Sequence, residues 1–201
     1  APKREFIAFI VRPSLGQGAD TFRFPRPRID GTPPDFTVRC EQVEDTAEKG
    51  IKMRTIALYT TETMADWEYA YLTTQIAGAE QLKPGRFRLL LVGDGLEPVR
   101  TLGNLPLAPE ADLDALDALA DDGSLTALVI PGGDHYAVGH ERLIEAVGHL
   151  VDKEILVAAI CGATLLLARG GFLDERRHTS NAASYLEASG YRGGVHYVEA
   201  S

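Results

Sequence analysis

The chain has 201 residues, 45% of them apolar, and a formal net charge of −9. That length and composition suit one globular core with a small appendage and exclude a disordered chain, and no apolar run approaches the roughly 20 residues of a membrane-spanning helix. The charge is uneven. Residues 1–52 carry nine basic and eight acidic side chains, residues 53–201 eleven and twenty-one, and so acidic a surface argues against nonspecific nucleic-acid binding.

Two cysteines, Cys40 and Cys161, stand in unrelated contexts, as expected of reduced thiols in a cytoplasmic protein rather than of a disulfide framework. No signal peptide is expected ahead of the first apolar run. No Cys/His group has zinc-ligand spacing. Gly93-Asp94-Gly95 lacks the remainder of a dinucleotide fingerprint and the helix that follows one, so it reads as a turn. Neither metal nor cofactor is expected.

Residues 1–52 read as an N-terminal extension. Residues 6–11 are strand-like, 13–18 form a turn, 21–24 alternate, and Pro25, Pro27, Pro33 and Pro34 interrupt regular structure before a further strand-like stretch at 35–40. From Met53 onward apolar strand patterns alternate with helical ones. Strands are expected at 54–60, 87–93, 126–131 and 155–160, and helices at 65–78, 111–121, 139–152 and 163–170, with a short helix near 182–188. Leu143, Ile144, Val147, Leu150 and Val151 recur at helical spacing and mark a core stripe. The acidic run Glu110, Asp112, Asp114, Asp117, Asp121 and Asp122 belongs to a solvated face. Such alternation predicts an α/β fold: a doubly wound, mostly parallel sheet with helices on both faces, plus a short N-terminal β-like extension.

Three of the strands end in residues that bear chemistry. The run from Ile155 to Ile160 stops at Cys161, and Gly162-Ala163 and a helical run follow. A tight strand-to-helix turn lifts its central side chain clear of the sheet. The helix start behind it offers unpaired N–H groups and the positive end of a dipole, and both favour thiolate. The alternative for a single cysteine is a small buried core residue. Leu128-Val129-Ile130 runs into Pro131-Gly132-Gly133, a turn whose backbone N–H groups can hold an oxyanion, or a plain strand-ending turn. The strand at 54–60 leads to Glu68 near a helix start, where it is either a solvated first-turn carboxylate or a group aimed at the cysteine.

Taken in this order, Glu68, Pro131-Gly132-Gly133, Ala159-Ile160-Cys161-Gly162-Ala163 and the segment from Gly171 to Asn181 resemble the ThiJ/PfpI superfamily. This is the cysteine branch of the glutamine-amidotransferase-like fold, and the resemblance implies a flavodoxin-like sheet over residues 53–201. It implies Cys161 as nucleophile, a partly protonated Glu68 hydrogen-bonded to its sulfur, and an oxyanion pocket from the Gly133 and Gly162 amides within the turns of Gly132 and Ala163. Many relatives carry a histidine at the end of a Thr-Thr-His-like segment. Here that position is Asn181, and His178 lies three residues earlier, an offset that reverses side-chain direction in a strand. Others place histidine directly after the cysteine, where this chain has Gly162. His135, beyond the Gly-Gly turn, is the substitute candidate base, with an ordinary loop histidine as the alternative. His196 and Glu199 lack the spacing of the amidotransferase His–Glu pair.

Relatives usually continue with another strand or two and a closing helix. The chain is therefore expected either to be truncated at its C-terminus or to fill the vacant sheet edge with its N-terminal strands. Homo-oligomers are common among relatives, and an open edge points the same way. The expected function is cysteine-dependent chemistry on a small-molecule substrate, of amidase/peptidase or glyoxalase/deglycase type. The lack of a clear base weakens amide hydrolysis more than aldehyde chemistry. A redox or stress sensor oxidised at Cys161 is the rival reading, and a ligand-sensing module beside a DNA-binding domain ranks last.

Overall fold

The computed structural model describes residues 8–11 and 52–199. The features expected at 13–18, 21–24 and 35–40, Cys40 among them, lie outside these residues.

Six strands form the main sheet: β1 (Ala8–Val11), β2 (Arg54–Thr60), β3 (Phe87–Gly93), β6 (Ala111–Asp112), β7 (Leu125–Ile130) and β8 (Leu156–Ile160). Their spatial order is β1-β8-β7-β2-β3-β6. All neighbours run parallel except β1, which pairs antiparallel with β8, Ala8 opposite Ile160 and Val11 opposite Val157. A two-stranded ribbon of β4 (Val99–Arg100) and β5 (Pro106–Leu107) stands apart. The helices are α1 (Asp66–Leu82), α2 (Ala115–Asp121), α3 (Glu141–Asp152), α4 (Thr164–Arg169) and α5 (Ala183–Glu187). No helix among the described residues is long and apolar enough to cross a membrane.

The four long parallel strands lie in the order β3-β2-β7-β8, the flavodoxin-like winding. The chain moves outward from β2 to β3, then returns to the other side of β2 to build β7 and β8. Its direction thus reverses between β2 and β7. In open α/β sheets the crevice beyond the carboxyl ends of the strands at such a reversal is where ligands bind.

Near-continuous apolar sequence makes these strands suitable for burial on two faces. Ala57, Tyr59, Leu90, Val92, Leu128, Ile130, Val157 and Ala159 face one core together with Leu116 of α2, Leu143, Val147 and Leu150 of α3, and Leu165, Leu166 and Leu167 of α4. The alternate residues Leu58 and Val129 face the other way, with Ile56, Leu89, Leu91, Ala158 and Ile160 packed at its margin beneath Tyr69 and Leu72 of α1.

Two elements depart from expectation. The acidic stretch at 111–121 is not one helix: Ala111–Asp112 adds to β3 as an edge strand, and the helix begins only at Ala115. The Asp112 carboxylate accepts from the Gly95 N–H at 2.8 Å and from the Arg142 guanidinium at 2.7 Å. These contacts to residues distant in sequence override local helical preference. The first helix runs four residues beyond 78, to Leu82. The Glu80 carboxylate then accepts the N–H groups of Gly85, Arg86 and Phe87, so the helix end is tied to the start of β3.

Candidate active site

At the carboxyl end of the sheet three connections meet. The first is the β2–α1 loop. Gly132 O accepts the Ala65 N–H at 2.8 Å, and the Asp134 N–H donates to Thr63 Oγ1 at 3.0 Å, so this loop grips the turn after β7 from below and beside. Glu68, third residue of α1, extends its carboxylate across to the same turn, and its Oε2 accepts the Gly132 N–H at 2.5 Å. Its Oε1 is buried and has no hydrogen-bond partner among the described residues. Burial pushes the Glu68 carboxyl above its ordinary value, against the Gly132 N–H and the Cys161 side chain, which both pull it down.

The second connection is the Pro131-Gly132-Gly133 turn. A Cβ on Gly132 would stand 2.8 Å from Glu68 Oε2 and 3.0 Å from the Cys161 Cβ, so only glycine lets the carboxyl and the cysteine close on the backbone. Behind the turn, the buried Tyr136 hydroxyl donates to Pro131 O at 2.7 Å. The Tyr136 ring lies against His140, whose Nδ1 is 3.1 Å from the Tyr59 hydroxyl. Burial holds the His140 imidazole below its usual range, and the Arg169 charge adds to this.

The third connection is the elbow after β8. Cys161 takes φ 50, a left-handed conformation that costs a non-glycine residue of order 1–3 kcal/mol and persists only where the surroundings over-determine it. It opens a 3-10 turn, Cys161–Ala163, that leads directly into α4. The Cys161 carbonyl accepts the Thr164 hydroxyl at 2.6 Å. Gly162 packs on the second connection so closely that a Cβ there would stand 2.7 Å from Gly133 O. Tyr185 of α5 donates its hydroxyl to Gly162 O at 3.3 Å. Ala163 is buried in the main core.

The segment at 178–181, anchored by an isolated bridge from His178 to Tyr197, completes the site. Asn181 Nδ2 donates to Cys161 Sγ at 3.3 Å from an exposed position. His178 is buried and turned to other work: its Nδ1 meets Arg176 O at 2.6 Å, its Nε2 meets the Tyr191 hydroxyl, and its ring contacts Tyr191 and Tyr197 edge-on. His135 is exposed, and no hydrogen bond joins it to Cys161. The fold thus brings Glu68, Gly132, Gly133, Cys161, Gly162 and Asn181 together, and Asn181 donates to the sulfur.

The planar trans peptide fixes where the amides point. Gly132 O is tied to Ala65, so the N–H of Gly133 on the same peptide is directed away from Ala65, and it has no acceptor among the described residues. Cys161 O is tied to Thr164, which likewise sets the direction of the Gly162 N–H. Tyr136, Thr164, Ser180 and Tyr185 have no site role in the sequence reading. Thr164 alone carried a local signal, because a threonine hydroxyl reaches the carbonyl three residues back. The others act across contacts that no spacing reveals.

The DJ-1/PfpI family model matches residues 54–201. A Bacillus subtilis protein named "Uncharacterized protease YoaZ" is 34% identical over 152 residues, which cover 73% of this chain and 70% of that protein. Among solved structures, a DJ-1 superfamily protein of Agrobacterium tumefaciens superposes with a TM-score of 0.61 at 33% identity, covering 74% of this chain and 75% of that one. A thiJ/pfpI family protein of Bacillus anthracis gives 0.62 at 32%, covering 75% and 71%. With a model matched from β2 through the elbow to the end of the chain, and relatives of this identity sharing its sheet, the protein belongs to the DJ-1/PfpI family.

Proposed function

We propose that the protein is a cysteine-dependent enzyme acting on small electrophilic carbonyl compounds, with Cys161 as the nucleophile. The observation that carries this reading is the left-handed Cys161 at the strand–helix elbow, with its Sγ accepting from Asn181. An amide donor on sulfur and the start of a helical turn both favour thiolate. The Gly133 and Gly162 turns pack against each other beside Cys161, and their amides would serve as the oxyanion donors.

Relatives named as proteases raise the case for amide hydrolysis. Expulsion of an amine and the attack of water that must follow it, however, need acid–base help beyond the single Glu68 carboxyl. Asparagine does not titrate, His178 is engaged by Arg176 O and Tyr191, and His135 makes no bond to Cys161. Carbonyl addition of glyoxalase or deglycase type makes smaller demands. The Cys161 thiolate attacks the aldehyde carbon, a C–S bond forms, and the carbonyl π pair moves to oxygen. The resulting alkoxide is held by the two glycine amides and takes the proton of a protonated Glu68, to give a thiohemiacetal and a Glu68 carboxylate. That carboxylate is then free to remove a proton from the adduct.

The test is the pH profile of Cys161 alkylation by iodoacetamide on a Cys40→Ser background, paired with turnover of methylglyoxal. The expected profile is that of an activated thiol and moves in Glu68→Gln, and turnover falls more than about 100-fold in Cys161→Ala. An ordinary midpoint indifferent to Glu68 would overturn the reading. Reversible oxidation of Cys161 without any turnover would replace it with redox sensing.

A further inference from the structure

Thr164 and Ser180 are completely or almost completely buried, at 0% and 2% exposure, and their hydroxyls are 2.7 Å apart. Thr164 Oγ1 has a single hydrogen and commits it to Cys161 O at 2.6 Å. The hydrogen in the Thr164–Ser180 bond is therefore that of Ser180. The bonds form a directed chain, from the Ser180 hydroxyl to the Thr164 hydroxyl to the carbonyl of the nucleophile, and each bond polarises the next. Ser180 is also the residue before Asn181, whose amide donates to Cys161 Sγ. The 178–181 segment thus holds the cysteine twice, once through its backbone carbonyl and once through its sulfur.

A threonine hydroxyl on the carbonyl three residues back is ordinary at a helix start and would carry nothing alone. The second bond is different. It spans 16 residues, lies in the core, and ends one residue from the sulfur's hydrogen-bond donor. The far end of the segment is fastened as well. The His178 N–H donates to His196 O at 3.2 Å, the Val198 N–H donates to His178 O at 2.8 Å, and the Tyr197 hydroxyl donates to Ser180 O at 3.3 Å.

We infer that Ser180 and Thr164 are positioning residues for the nucleophile: their hydroxyl relay fixes the Cys161–Gly162 peptide in its left-handed setting and holds Asn181 at bonding distance from Sγ. The inference rests on the reading of Cys161 as a nucleophile, but its test is separable. Loss of the Ser180 hydroxyl frees the Thr164 hydroxyl from its donor and weakens its hold on the Cys161 carbonyl, which the Thr164 N–H alone then keeps in place. The Asn181 amide then loses its fixed distance from the sulfur.

The experiment is the iodoacetamide pH profile of Cys161, on the Cys40→Ser background, in Ser180→Ala, Thr164→Val, their double variant and Thr164→Ser, with thermal melting alongside. Ser180→Ala removes one atom and is the primary variant. The expected result is an alkylation midpoint raised by about half to one pH unit in Ser180→Ala and Thr164→Val, with no further rise in the double variant and near-recovery in Thr164→Ser. A folded Ser180→Ala whose profile coincides with the parent's overturns the inference, and so does a double variant in which two separate shifts add. A parent midpoint near that of free cysteine would sink the nucleophile reading instead, and the difference between parent and variants would still decide the relay.

Discussion

On the sheet face that carries α2, α3 and α4, Leu128, Ile130, Leu143, Leu150, Leu166 and Leu167 are wholly enclosed. On the face that carries α1, Leu58 and Met64 alone among the described residues of that cluster reach the same state, and Val129 stays 8% exposed. Ile56, Leu89, Leu91, Ala158 and Ile160 are partly covered, and α1 buries none of its own seventeen residues. The candidate site straddles this asymmetry. Cys161 and Gly162 are continuous with α4 and the thick core, whereas Glu68 rides on the thinly packed helix and is registered to the site by the Gly132 N–H. The nucleophile's position is therefore coupled to global folding. The carboxyl's position depends on a local bond, and its chemistry is open to change without loss of the fold.

Truncation on each face gives the largest contrast. Leu166→Ala opens a cavity in the enclosed core and should cost about 3 kcal/mol of unfolding free energy in urea titration. Leu72→Ala, on the partly exposed side of α1, should cost about 1 kcal/mol, because solvent already reaches the site and the neighbours can close on it. Equal costs would mean that the α1 face is as tightly packed as the other.

Next in size is the contact between the two turns. In Gly162→Ala the new methyl meets the Gly133 carbonyl at 2.7 Å, and a backbone atom cannot swing aside as a side chain does. The turns must separate, at about 1–3 kcal/mol, and Cys161 alkylation should slow by about tenfold or more as the amides lose alignment. Gly194→Ala is the control: a Cβ there meets nothing within 4 Å, so the change should stay within about 0.5 kcal/mol and leave the thiol untouched.

The same asymmetry accounts for how far the sequence can be read. β2, β3, β7 and β8 were legible because strands buried on both faces are apolar throughout, and α3 because Leu143, Val147 and Leu150 repeat along one side. The order of Cys161, Pro131-Gly132-Gly133 and Glu68 along the chain was legible because each follows a strand, and parallel strands deliver their ends to one crevice. The direction of the Glu68 side chain was not. It is set by a bond to Gly132, 64 residues away, and α1 has too little hydrophobic patterning to say which side faces inward. β6 was hidden for a related reason, since two residues held by Gly95 and Arg142 leave no period to detect. Ser180 and Tyr136 look like any serine and tyrosine until the chain is folded.

The smallest effect tests the carboxyl alone. Burial raises the Glu68 carboxyl in the folded protein above its value in the unfolded chain. A carboxyl whose folded value is raised stabilises the fold most where it is protonated in both states, below the ordinary carboxylate range, and this contribution is lost as pH rises through the folded value. Where the carboxyl ionises, the wild type folds against the cost of a half-buried charge whose Oε1 has no hydrogen-bond partner among the described residues. Glu68→Gln keeps an oxygen to accept the Gly132 N–H and removes the charge. It should melt about 1–2 °C above wild type at pH 7, and the difference should vanish on acidification through the carboxylate range. A variant that melts lower at pH 7 would mean that the ionised carboxyl is stabilised where it stands, and that the thin face of the sheet protects a charge rather than a proton.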